Sequence, residues 1–181
     1  MHIFSQEEYG LRCLSQVARA SEREGPLRIQ DIAEAEGLSH DYVAKLMREL
    51  RRGGLVTSTR GPSGGYRLAR DARDISVWQA LGVLGGAFFT DEFCDSHRGQ
   101  LRDCTHREDC SIRALWGWLS NLLDTVLQDI TVADLVNKEC RVVELLDELK
   151  REVQLPPSPF VAMPAGAGPE AEGNPSGESK A

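Results

Sequence analysis

The chain has 181 residues, 41% hydrophobic and 27% charged, the composition of one compact domain or two small ones with a real core. No apolar run approaches the roughly 18 residues of a membrane-spanning helix. The opening MHIFSQEEYG lacks the basic-then-apolar order of a signal peptide, so a cytoplasmic location is expected. Thiols are kept reduced there, and five cysteines, an odd number, do not suggest a disulfide framework. The net charge of −7 argues, taken whole, against a nucleic-acid partner, but it is unevenly spread. Within residues 39–70 seven basic side chains (Lys45, Arg48, Arg51, Arg52, Arg60, Arg67, Arg70) face only Asp41 and Glu49. A local basic surface is what meets phosphates, whatever the total.

Residues 6–20 carry Tyr9, Leu11, Leu14, Val17 and Ala18 near helical spacing, which predicts a first helix with Cys13 on its buried face. The segment IQDIAEAEG predicts a short helix halted at Gly37. Ser39 is a good N-cap for a third helix whose apolar stripe is Tyr42, Val43, Leu46, Met47 and Leu50. Two such helices joined by a glycine-containing turn make a helix-turn-helix, whose second helix enters the major groove through its N-terminal residues. Ser39, His40, Tyr42 and Lys45 are therefore the expected contacts to base edges and phosphates.

Residues 55–60 are β-prone, 61–65 (GPSGG) form a turn and 66–68 a second short strand, predicting a β-hairpin wing. Arg60 and the turn Ser63, Gly64 and Gly65, followed by Tyr66, are expected to reach the DNA backbone or minor groove, the glycines by letting backbone N–H groups come close. The turn has neither the Gly-Lys-Ser/Thr ending of a nucleotide-phosphate loop nor a following helix.

Cys94, Cys104 and Cys110 then stand in a polar stretch without hydrophobic periodicity, just before a long amphipathic helix. Nine residues separate the first pair and five the second, so no CxxC of a redox site or zinc ribbon is formed. Three soft thiolates suit an iron–sulfur cluster or zinc, and either needs a fourth ligand from elsewhere. Cys110, immediately ahead of the helix, has its thiolate favoured by the positive end of the helix dipole. No nucleophile–base pair, H-E-x-x-H or convincing carboxylate pair is present, so no enzyme is expected.

Ile112, Leu115, Trp116, Leu119, Leu122, Leu123, Val126, Leu127 and Ile130 recur every three or four residues as one continuous stripe. The stripe is too long for a small winged-helix core to cover, which assigns it mainly to a partner helix. A second stripe, Val142, Val143, Leu145, Leu146, Leu149 and Val153, predicts another helix, with Cys140 beside it in no evident metal role. From Gln154 onward six prolines and four glycines predict a disordered tail. No internal repeat stands out.

These features resemble the winged-helix iron–sulfur transcription regulators typified by the iron–sulfur cluster regulator IscR and the nitric-oxide sensor NsrR. The resemblance covers residues 1 to about 138 and rests on FSQEEYGLR, IQDIAEAEGLSHDYVAKLMRELRRGGLV, RGPSGGYRLAR, the three cysteines and RALWGWLSNLLDTVLQDITVADLV. It implies a homodimer on a pseudo-palindromic operator, with a [2Fe–2S] or [4Fe–4S] cluster reporting on iron, oxygen, nitric oxide or redox state. Where some members place a ligating histidine three residues after the third cysteine, this chain has Arg113, which cannot ligate. Others use an acidic residue near the N-terminus of the opposite subunit. That aligns Glu8 as first choice, with His97 and His106 next and Glu7 behind. The alternative is a winged-helix DNA-binding protein stabilised by zinc on the three cysteines and a histidine, colourless where a cluster would absorb visible light. The expected fold is mainly α with a small β-hairpin wing, a winged helix-turn-helix followed by a long dimerisation helix. The expected division is 1–73 for DNA binding, 74–138 for the cluster loop and dimerisation helix, 139–153 for an additional helix and 154–181 for the tail.

Overall fold

The structure is a computed structural model that describes residues 5–21, 25–61, 63–85, 92–106 and 109–152. The tail expected to be disordered and Val153 lie outside the described residues. Helix α1 (Ser5–Ser21) is followed by α2 (Ile29–Glu36) and α3 (His40–Arg52), then strands β1 (Val56–Thr59) and β2 (Gly65–Leu68). A single 3₁₀ turn at Ala72–Asp74 leads to α4 (Val77–Leu84), α5 (Glu92–Ser96), α6 (Ser111–Gln128), α7 (Val132–Leu135) and α8 (Glu139–Glu152). The mainly helical fold with one hairpin wing is the expected one.

Local chemistry accounts for the helix-turn-helix. Gly37 ends α2 at φ 65°, a left-handed conformation that glycine adopts without a Cβ penalty. Two residues later the Ser39 hydroxyl accepts the Tyr42 backbone N–H at 3.3 Å and starts α3, a cap worth about 1 kcal/mol. Val43, Leu46, Met47 and Leu50 are fully buried, as are Cys13, Leu14 and Val17 of α1, in one core. Burying each large aliphatic side chain contributes roughly 1.5–3 kcal/mol.

The wing is tied to this core at its root. Strands β1 and β2 are antiparallel, with Val56 opposite Leu68 and Thr59 opposite Gly65. Leu27, just before α2, exchanges two backbone hydrogen bonds with Tyr66 (2.8 and 2.7 Å) and acts as a one-residue third strand. Gly65 is required there by space: a Cβ on it would stand 2.5 Å from the Leu27 carbonyl oxygen.

The core does not stop at residue 73. Ile75, Ala80, Leu84 and Val132 belong to the same buried cluster as α1 and α3. α4 packs on α1 because Gly10 presents no side chain: a Cβ there would lie 2.3–2.9 Å from the Leu84 side chain. The chain also returns on itself through two matching segments, Asp74-Ile75-Ser76-Val77 and Asp129-Ile130-Thr131-Val132. Ser76 and Thr131 each cap a helix through a capping box. The Val77 N–H donates to the Ile130 carbonyl and the Val132 N–H to the Ile75 carbonyl, both at 2.8 Å. This two-bond bridge joins the C-terminal end of α6 to the start of α4.

Helix α6 is otherwise thinly covered. It packs on α4 rather than on α1, none of its residues is buried, and Ile112 and Leu115 are 62% and 50% exposed. Of its predicted stripe only Ile130, beyond the helix end at the bridge, is buried. Within α8, residues 139–151 are likewise unburied, and Val143 and Leu146 stand exposed.

Candidate nucleic-acid interface and cysteine cleft

The start of α3 presents Ser39, His40 and Lys45 outward, with Arg48 one turn further on the same exposed side. Arg48 sits in the basic run of the sequence but outside the expected contact set, and its position three residues after Lys45 is the signal that adds it. Tyr42 belongs to the apolar stripe as well as to the expected contact set. It is half-buried, and its ring meets Tyr9 of α1 edge to face, 6.0 Å between centroids and 83° between planes. An aromatic ring gains more by such a contact than by standing in water, so Tyr42 braces α3 against α1.

The wing shows a similar division. Arg60 and Ser63 are exposed, whereas Gly64 is buried and Gly65 and Tyr66 are half-buried. Gly64 donates its N–H to the Gly61 carbonyl at 2.9 Å, and a Cβ on it would come within 2.3 Å of the Thr59 carbonyl oxygen. These glycines close the hairpin on itself, a structural reason for them that the DNA-contact reading did not include. Arg51, in the last turn of α3, donates to the Ser58 hydroxyl of β1 at 3.2 Å and sets the wing relative to the helix.

Replacing Lys45 or Arg60 by alanine is expected to weaken DNA binding and to flatten its salt dependence by about one unit of slope per lost phosphate contact. Titration across several salt concentrations checks it. Unchanged affinity and slope in both variants would remove these two side chains from the interface.

Further along the chain the three thiols border one cleft. Cys94, Cys104 and Cys110 line one cleft of about 440 Å³ with Asp95, Arg98, Asp103, His106 and Arg113. Cys94 does not lie on a loop, as expected, but on α5, and Cys104 lies on the polar segment that follows. Cys110 is the N-cap of α6, its Sγ accepting the Arg113 backbone N–H at 3.3 Å.

The candidate fourth ligands separate. His106 lines the cleft, whereas His97 stacks on Phe93 (3.9 Å between rings, 13°) with its Nδ1 2.9 Å from the Phe93 carbonyl and is not among the lining residues. Glu8 is exposed in the first turn of α1 and does not line the cleft of its own chain. Cys13 is fully buried, and burial, reinforced by the nearby Glu36 carboxylate, pushes its thiol up to about 12. It stays protonated and inert. Cys140 is exposed on α8, away from the cleft lining.

Among the described residues no three Cys, His, Asp or Glu side chains converge on a point that would hold a single metal ion. A closed zinc site needs four donors at about 2.0–2.3 Å from one ion. Three thiols bordering one cleft are soft donors of the kind that both iron–sulfur clusters and zinc take.

The sequence profile of the Rrf2 family, described as iron-dependent transcriptional regulator, matches residues 3–138, from the start of α1 to the end of the α7 region. The chain belongs to the Rrf2 family. It is 36% identical over 157 residues to the HTH-type transcriptional regulator IscR of Cronobacter sakazakii, covering 86% of this chain and 92% of that one. It is 37% identical over 155 residues to the IscR of Klebsiella pneumoniae, covering 85% and 88%. Among solved structures, the IscR of T. potens superimposes with a TM-score of 0.58 at 31% identity over 75% of this chain and 86% of that one. CymR, the global cysteine regulator of B. subtilis, gives the same TM-score at 30% identity over 75% and 96%. This Rrf2 member is thus a DNA-binding transcription regulator and not an enzyme. No helix among its described residues is long and apolar enough to cross a membrane.

Proposed function

We propose that the chain acts as a homodimer on a pseudo-palindromic operator and that an iron–sulfur cluster, held by Cys94, Cys104 and Cys110, sets its affinity. The observation that carries this is that three thiols line one cleft at the capped start of a helix whose apolar face its own chain covers only in part. When bound, the cluster supplies an iron centre sensitive to oxidation and nitric oxide. The rest is done by the protein. Cys110 ties the cleft to the first turn of α6, and α5 and the polar segment supply the other two thiols. Over its 18 residues α6 runs about 27 Å, and its far end is clamped to the DNA-binding core by the bridge between 75–77 and 130–132. A constraint applied at one end of a rigid helix is therefore delivered at the other, at the start of α4 and at Ile75 and Val132 of the shared core. Two recognition helices must engage both half-sites at once, so small changes in their spacing change affinity steeply.

Glu8 is the fourth ligand in this reading, supplied to the cleft of the other subunit; it is exposed and does not line the cleft of its own chain, which leaves its carboxylate available to a partner. Anaerobic purification followed by iron, sulfide and zinc analysis, with operator binding measured before and after cluster removal, tests the whole proposal. Iron and acid-labile sulfide with visible absorption are expected. A colourless protein carrying stoichiometric zinc would sink it. Glu8→Ala is expected to alter the spectrum, reduce cluster content and shrink the difference between holo and apo affinity. A wild-type cluster and a wild-type difference would pass the role to His106, which already stands in the cleft.

A further inference from the structure

Tyr9, Arg12 and Gln16 lie at positions i, i+3 and i+7 of α1 and so share one face of it. All three reach toward the helix-turn-helix. The Arg12 Nε donates to Glu36 Oε2 at 2.6 Å, and the Gln16 side-chain amide donates to Glu36 Oε1 at 2.5 Å, so both carboxylate oxygens are taken by α1. The Arg12 guanidinium also stands 5.5 Å over the Tyr9 ring, whose other contact is Tyr42 of α3.

Glu36 is unusual for its place. It is the last residue of α2, where the helix dipole disfavours a carboxylate, and its side chain is only 7% exposed. The pair is buried on one side only, since the Arg12 side chain is 46% exposed; withdrawing the Glu36 carboxylate from water offsets much of the attraction, so the pair is a weak source of stability. It is strong as a fixer of geometry, because misplacement leaves a buried charge unpaired. Directly after Glu36 come the left-handed Gly37 and the Ser39 cap that aim α3. The pair therefore fixes the last rigid point before the turn, and the Tyr9–Tyr42 contact fixes the first turn after it.

We propose that Arg12 and Glu36, with Gln16, Tyr9 and Tyr42, are positioning residues for operator recognition: they hold the start of α3 at the angle its half-site requires and do not themselves touch DNA. Nothing in the basic run of the sequence points to them, since Glu36 is acidic and Arg12 lies outside it. The proposal rests on the reading of α3 as the helix that enters the major groove. Because Tyr9 follows Glu8, the same face would carry a displacement of the start of α1 into the recognition helix.

The test compares wild type with Arg12→Met/Glu36→Met and with Glu36→Gln, as full-length protein, in the cluster state that binds more tightly in wild type. Affinity is measured for a duplex the protein selects from a random pool and for a scrambled duplex of the same composition, at several salt concentrations, together with Tm. The double variant is expected to keep its Tm within a few degrees and to keep scrambled-duplex affinity and salt slope. Its preference for the selected duplex should fall about tenfold or more, the effect of roughly one mismatched base pair in the whole site. Glu36→Gln, which keeps an acceptor and loses the charge, should fall in between, and decides the matter if the double variant does not fold. A wild-type preference ratio in a folded variant overturns the proposal. So does a parallel loss on both duplexes with a flatter salt slope, which would make Arg12 a phosphate contact. Lys45→Ala, run alongside, separates the two readings. Lost affinity there with a wild-type ratio in the double variant refutes positioning alone; unchanged affinity there refutes the role of α3 as well.

Discussion

Cys94→Ala, Cys104→Ala and Cys110→Ala are each expected to reduce iron and sulfide content at least about tenfold in anaerobically purified protein, since a thiolate ligand contributes more than the outer-shell groups whose loss already costs about 10- to 100-fold. Cys13→Ala and Cys140→Ala are expected to leave both at the wild-type level. The contrast follows from position. Cys94, Cys104 and Cys110 share a cleft, whereas Cys13 is sealed in the core as a protonated thiol and Cys140 stands on the surface of α8. Cys110 needs a control, because its Sγ also caps α6. Cys110→Ser keeps an acceptor for the Arg113 N–H, as serine is a good N-cap, yet replaces the soft ligand. It should retain wild-type helicity by circular dichroism and lose the visible spectrum. If one of the three cleft cysteines proves dispensable while Cys13 or Cys140 does not, the ligand set is wrong.

Ile112→Glu and Leu115→Glu are expected to convert the protein to a monomer at micromolar concentration in sedimentation experiments. Both side chains are more than half or about half exposed in the single chain, 62% and 50%, so the fold itself has little to lose from the change. A partner helix covering them would have to bury two carboxylates without counter-charges, at a cost of several kcal/mol. Operator affinity should then fall by about 10²- to 10⁴-fold, because binding of the second half-site is no longer intramolecular. Affinity for scrambled DNA, which one domain can supply, should change far less. A variant that still sediments as wild type would move the dimer contact away from the first half of α6.

Legibility in the sequence followed range. Ser39 as a cap, Gly37 as a stop and the Val43–Leu46–Met47–Leu50 stripe are set by neighbours within one or two turns, and each stands where the periodicity puts it. The wing follows in the same way from β-prone runs on either side of a glycine-rich turn. α4 is harder to see: VWQALGVL is apolar on nearly every side, so no stripe marks it, and its length is only eight residues. Tyr42 reads from sequence both as a stripe residue and as a first-turn contact of α3, and the ring of Tyr9 that it meets could not be read from the sequence.

By itself, then, the chain's order of residues determined the helix-turn-helix, the wing, the three candidate thiolates and the family, since periodicity, capping, turn chemistry and motif spacing are local properties. The tertiary structure alone decided which groups meet across long separations. It placed His106 in the cleft and His97 against Phe93, joined 75–77 to 130–132, and set Arg12 on Glu36 across 24 residues. Those pairings depend on how apolar faces close over one another, and a side chain's partner across a core is fixed by that closure rather than by its neighbours in the chain.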